Sequence, residues 1–153
     1  ITRISRARRI AEHEFLGVLL FDPMESSAVL REQNINITED NFLDGESSNI
    51  AQCLLNRLYA GTTCTMQEIL TELDDQSANR ASSLYFVGQR ICEENDSVMR
   101  AVLLTKKAFE KAIEDKAIDD EVRELKSLAD PEQRARAAQQ TLETIRKQKK
   151  RAI

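Results

Sequence analysis

The sequence is short of the residues on which most recognisable chemistry depends. It has no tryptophan, one histidine, three cysteines, two prolines and four glycines in 153 residues. So little Gly and Pro, with no low-complexity run, excludes collagen-like and disordered chains. The glycines stand at 17, 45, 61 and 88. They spell no Gly-x-Gly-x-x-Gly and no Gly-Lys-Ser/Thr, so neither common phosphate-cradling loop is present. Long apolar runs are missing too. The longest is Phe15 to Phe21, far short of the roughly 20 residues that cross a bilayer, and no secretory signal is expected. No membrane association is expected.

The cysteines are Cys53, Cys64 and Cys92, with no Cys-x-x-Cys pair. An odd count in that arrangement fits a reducing compartment. Together with His13 they have the ligand types of a zinc site. Cys53 and Cys92 fall within helical apolar patterns, however, which favours the core. His13-Glu14 lacks the second histidine of a zinc-hydrolase helix, and a thiol nucleophile would need an orienting partner that the sequence does not offer. Asp74-Asp75 and Asp119-Asp120 are weak magnesium candidates that read better as solvated helix ends. The five Phe and two Tyr sit at helical spacing, as core residues do. No catalytic, cofactor-binding or metal-binding residue is assigned.

What is present is helical periodicity. The chain is 41% hydrophobic and 31% charged, with a formal net charge of −4. A globular chain of this length buries roughly 70% of its unfolded surface, enough for a real core. Apolar residues recur at helical spacing almost everywhere, and alternating strand patterns are missing. A first helix is predicted from about Ser5 to Phe21, with Ala7, Ile10, Ala11, Phe15, Val18 and Leu19 on one face. Asp22-Pro23-Met24-Glu25 starts a second, which carries Val29 and Leu30 and ends near Gln33. Thr38 caps a short turn through Phe42. A helix from about Ser47 to Ala60 is stopped by Gly61. Thr65-Met66-Gln67-Glu68 opens the next, another covers roughly Asn79 to Glu93, and a long one begins at Ser97.

The last third changes character. Ile118, Val122, Leu125 and Ala129, then Ala135, Ala138, Leu142 and Ile145, form seams one residue wide, flanked by charge. Asp130-Pro131-Glu132-Gln133 is a capping signal between them, with Asp130 expected as the cap. The fold class expected is therefore all-α: a multi-helix bundle over residues 1–116, then a C-terminal antiparallel helical hairpin over 117–153. Basic residues crowd both termini. Arg3, Arg6, Arg8 and Arg9 lie at the start, and Arg146, Lys147, Lys149, Lys150 and Arg151 at the end. Helix-end charge, a protein partner and weak nucleic-acid contact all remain open for these clusters. Residue 1 is Ile rather than Met, so a fragment of a longer protein is expected.

Two segments carry a resemblance. Arg9-Ile10-Ala11-Glu12-His13-Glu14-Phe15-Leu16-Gly17-Val18-Leu19-Leu20-Phe21-Asp22-Pro23 resembles the opening of the C-terminal, helicase-binding domain of bacterial replicative DNA primase. That opening reads Ala-Glu, then a Leu-rich run and a Pro soon after. Ile37-Thr38-Glu39-Asp40-Asn41-Phe42-Leu43-Asp44 looks like that family's short acidic-Phe turn. The order of bundle, long helix and charged hairpin is also similar, and the stretch from Cys53 to Asp96 departs most. The resemblance implies a non-catalytic, cytoplasmic, bacterial module of the primosome that docks on the hexameric replicative helicase and couples primer synthesis to unwinding. The implied parent enzyme, a DNA-directed RNA polymerase (a nucleotidyltransferase), uses zinc and magnesium in upstream domains, and no cofactor falls to this fragment. The N-terminal domain of the replicative helicase shares these motifs and stays open as an alternative, as does a helical nucleic-acid-binding module. The residues expected to bind the partner are Leu142, Ile145, Arg146, Lys149, Lys150 and Arg151.

Overall fold

Most helices of this chain begin where a short polar side chain can hold N–H groups that the helix itself leaves free. The computed structural model describes residues 4–62, 64–127 and 131–151. Ser5 opens α1 (Arg6–Phe21), accepting from the backbone N–H of Arg8 at 3.1 Å. Asp22 opens α2 (Pro23–Glu32) through Glu25 N–H, with Pro23 at its first position. Asp44 opens α3 (Gly45–Ala60), Thr65 opens α4 (Met66–Glu72) and Asp74 opens α5 (Asp75–Asn95). Ser97 accepts from Arg100 N–H at the start of α6 (Val98–Ser127), and α7 spans Pro131–Arg151. One 3-10 turn, Glu39–Asn41, lies between α2 and α3. The described residues are 85% helical with no strand, so the all-α expectation holds. Asp130, Ala129 and Arg3 lie outside the described residues.

Two helix starts differ from expectation. α3 begins before Ser47 because Asp44 takes the cap, accepting from the Ser47 N–H and hydroxyl at 3.2 and 3.0 Å. α5 begins before Asn79 because Asp74 accepts from Ser77 N–H at 2.7 Å. The Asp74-Asp75 pair is thus a helix end. Gly61 closes α3 with φ +70, the left-handed conformation that favours glycine. In the short turn, the Asn41 side chain reaches back to Thr38 N–H at 2.9 Å.

The chain divides into two compact units, residues 1–110 and 111–153, and the division falls within α6. In the first unit, α1 is buried on every side from Phe15 to Leu20, as a central helix must be. It packs on α5 at a glycine crossing. A β-carbon on Gly88 would fall on the carbonyl of Gly17, and one on Gly17 would stand 2.5 Å from the Leu84 carbonyl oxygen. The expected apolar face of α1 needs correction at its N-terminal end. Ala7 and Ile10 are exposed, while Arg8 and Glu12 are buried. The first two turns are oriented by that polar pair.

The second unit also corrects the sequence reading. On α6, Ile118, Val122 and Leu125 are half-buried, as a narrow seam requires. On α7, Leu142 stands 54% exposed, while Thr141 is only 8% exposed. Ala135 faces solvent; Ala137, Ala138, Thr144, Ile145 and Gln148 are half-buried. The inner face therefore keeps Ala138 and Ile145 but centres on Thr141 in place of Leu142, with Ala137 and Thr144 beside it. Those hydroxyls donate to the carbonyls of Ala137 and Gln140, each at 3.1 Å. A threonine so satisfied is buried without an orphan polar group.

Candidate functional site

Two places gather functional side chains, one in each unit. In the first unit, α1 presents Arg8, Glu12 and His13 on successive turns to the segment 41–44. Glu12 is fully buried. Its carboxylate accepts from the N–H groups of Leu43 and Asp44 at 2.9 and 3.3 Å and lies 3.3 Å from the Arg8 guanidinium. Arg8 also donates to the Asn41 carbonyl and covers the Phe109 ring at 5.3 Å from its centroid. Phe109 stacks on Phe15 at 5.7 Å and meets Phe42 at 4.9 Å. Rings so placed add to what their burial alone contributes. The two segments that carry the sequence resemblance thus meet in space, Glu12 and Phe15 from one and Phe42 to Asp44 from the other.

Charge at this cluster is tuned by burial. Burial raises the Glu12 pKa; hydrogen bonds from the Asp44 and Leu43 N–H groups and the charge of Arg8 oppose it, and the net direction is upward. Burial would also raise Asp44, but the Ser47 hydrogen bonds and His13 hold it below the usual carboxylate value. Burial and the Arg80 charge push His13 down, against the pull of Asp44 3.6 Å away.

That depression gives stability a pH dependence. A folded histidine with a lowered pKa contributes stability above its unfolded value of about 6.5 and loses it as pH falls through the folded value. Glu12, raised, acts in the opposite sense: it favours the fold at low pH and ceases to as pH rises through its folded value. The His13 contribution to the urea midpoint should fall as pH drops from 7.5 to 5, while that of Glu12 rises. The wild type should therefore lose stability relative to His13→Gln over that range; an unchanged difference between the two midpoints would acquit His13.

In the second unit, α7 carries seven Lys and Arg against two Glu. Of the residues expected to bind a partner, Leu142 and Arg146 are exposed and Ile145 is half-buried. Lys149, Lys150 and Arg151 belong to the α7 backbone, and their side chains lie outside the described residues. At the other end of the chain Arg6 and Arg9 are exposed but Arg8 is not. Its guanidinium is engaged by Glu12 and Asn41, which takes it out of the N-terminal basic cluster.

A polar cavity of about 300 Å³ is lined by Asn49, Gln52, Cys53, Glu72, Leu73 and Asp74. The Cys53 thiol donates to Glu72 at 3.2 Å, and Glu72 also receives Arg57. Burial, more than the opposing Arg57 charge, pushes the Cys53 thiol up, away from the thiolate a nucleophile needs. Among the described residues no three His, Cys, Asp or Glu side chains form a group suited to a cation, and no helix is long and apolar enough to cross a membrane.

The sequence reading missed the roles of Arg8, Glu12 and Thr141. Arg8 and Glu12 did leave a signal, since opposite charges four residues apart bracket Ala11 just ahead of the most apolar stretch of the chain. With this geometry in hand, comparison with known proteins gives no kinship: no protein-family model, no curated protein and no solved structure matches the chain.

Proposed function

We propose that this chain is a non-catalytic docking domain of a bacterial DNA primase, and that it binds the hexameric replicative helicase through its second unit. The observation that carries the reading is Leu142. It is a large apolar side chain left 54% exposed on a strongly basic helix, with Arg146 and Lys147 exposed beside it. Thr141 takes the buried place on α7, so Leu142 is not used up within the chain's own packing. An exposed apolar anchor within a charged surround is what a transient protein interface uses: the anchor supplies affinity once desolvated, and the charges supply association rate and orientation. The meeting of the two resemblance-bearing segments at Glu12 adds support. Glu12 and Phe15 from one segment and Phe42 to Asp44 from the other are held together in the bundle.

Binding of the purified cognate helicase tests the proposal. Leu142→Glu should weaken binding by about thirtyfold or more, the equivalent of about 2 kcal/mol. Unchanged affinity for Leu142→Glu would remove the anchor from the interface.

A further inference from the structure

The first unit has an exposed apolar feature of its own. Phe86 on α5 is 65% exposed. It meets Tyr85 edge-on at 5.5 Å, and Tyr85 meets Phe21 at the end of α1, also at 5.5 Å. Three rings thus run as a ledge from a partly covered position to an open one. Carboxylates lie beside it. Asp22 and Glu25 follow Phe21 directly in the chain, and Glu93 lies seven residues from Phe86 on α5, about 10 Å along the helix. Burial first, and then the charges of Asp22, Glu25 and Glu93, push the Cys92 thiol up. Arg90, one turn from Phe86, pairs with Glu94 at 3.8 Å, so its charge is offset. The surroundings of the ledge are therefore acidic.

An aromatic ledge with an acidic border fits an occupant that is helical, basic and carries one apolar anchor. The chain itself has such an element in α7: Leu142 is exposed, Arg146 and Lys147 follow within five residues, and the helix continues through Lys149, Lys150 and Arg151. We propose that the Phe21–Tyr85–Phe86 ledge of one protomer receives α7 of a second copy of this chain. The two surfaces are different, so the contact is heterologous, and it extends head to tail instead of closing as a two-fold pair. Opposite charges around a single apolar anchor make it a salt-sensitive contact. The inference does not rest on the helicase reading. It uses the same helix, so self-association and any other partner of α7 compete.

Sedimentation velocity on the intact chain over a range of concentrations tests this. At low ionic strength the average mass should rise with concentration above the 17.4 kDa of one chain, and about 0.5 M salt should return it to that value. A ledge variant, Phe86→Ser with Glu93→Lys, and a helix variant, Leu142→Ser with Arg146→Glu, should each associate at least tenfold more weakly. All four side chains are exposed, and circular dichroism confirms that each variant is folded. Glu25→Lys and Lys147→Glu form a second, charge-only pair with the same expectation. An equal mixture of ledge and helix variants should form dimers and stop there, because one intact ledge meets one intact helix. A constant mass of one chain at low ionic strength, association unaffected by the substitutions, or a mixture that stays monomeric would each overturn the proposal.

Discussion

Alanine at Gly88 should destabilise the first unit by about 3 kcal/mol or more, a large part of the stability of a small domain. The added β-carbon would fall on the carbonyl carbon and oxygen of Gly17 and stand 2.7 Å from the backbone nitrogen of Val18. All three obstacles are backbone atoms of a buried helix, so no side-chain rotation relieves the clash. α1 and α5 would have to separate, and separation would open voids along residues such as Leu16, Leu20 and Leu84 that are now sealed. Gly45 is the control. A β-carbon there meets nothing within 4 Å, so Gly45→Ala should change stability little. Urea denaturation followed by circular dichroism measures both. A loss under about 1 kcal/mol for Gly88→Ala would mean the two helices are not held at this distance.

Glu12→Ala should cost about 3–5 kcal/mol, the range found when one member of a buried charge pair is removed. The loss has two sources. The Leu43 and Asp44 N–H groups lose their acceptor, and the buried Arg8 loses the carboxylate that faces it. Disorder should appear first at 41–44 and at the start of α3, because Asp44 caps that helix only while its own backbone is held. Hydrogen exchange at Leu43 and Asp44 should therefore accelerate more than exchange at the centre of α5. Replacing both partners, as Arg8→Met with Glu12→Leu, should cost less than Glu12→Ala alone, because a pair of apolar side chains leaves no buried charge behind. A double variant at least as unstable as the single one would show that the packing of the two stems, not their charge, holds the segment.

The helical content was legible because its signals are local. Asp22-Pro23, Thr65 with Glu68, and Gly61 act within one turn of themselves, so their meaning survives without knowledge of the fold. Asp44 and Asp74 are equally local caps, three and five residues ahead of the starts expected at Ser47 and Asn79. The Gly17–Gly88 crossing was not legible. Nothing in one sequence ties two glycines 71 positions apart, and a glycine inside a helix looks the same whether or not another backbone touches it. The face of α7 was misread for a different reason. Hydrophobicity favoured Leu142 over Thr141 at the inner position, but a threonine that bonds to its own helix is small, satisfied and buriable. The sequence reading places Leu142 both in the seam and among the partner-binding residues, and the 54% exposure of its side chain takes it out of the seam. At the candidate site, the basic character of the last helix was plain from composition, whereas the exposure of its anchor depended on helix rotation.

On the proposed reading, the second unit docks on the replicative helicase while the first folds by itself. The most direct measurement is a binding titration of the intact chain and of a chain lacking residues 142–153 against the purified cognate helicase, with circular dichroism and urea unfolding of both. The truncated chain should lose binding altogether and keep the cooperative unfolding of residues 5–110. Reversal of Lys149 and Lys150 should be milder, slowing association and weakening its salt dependence. Undiminished affinity after the truncation would place the contact on the bundle and contradict the account.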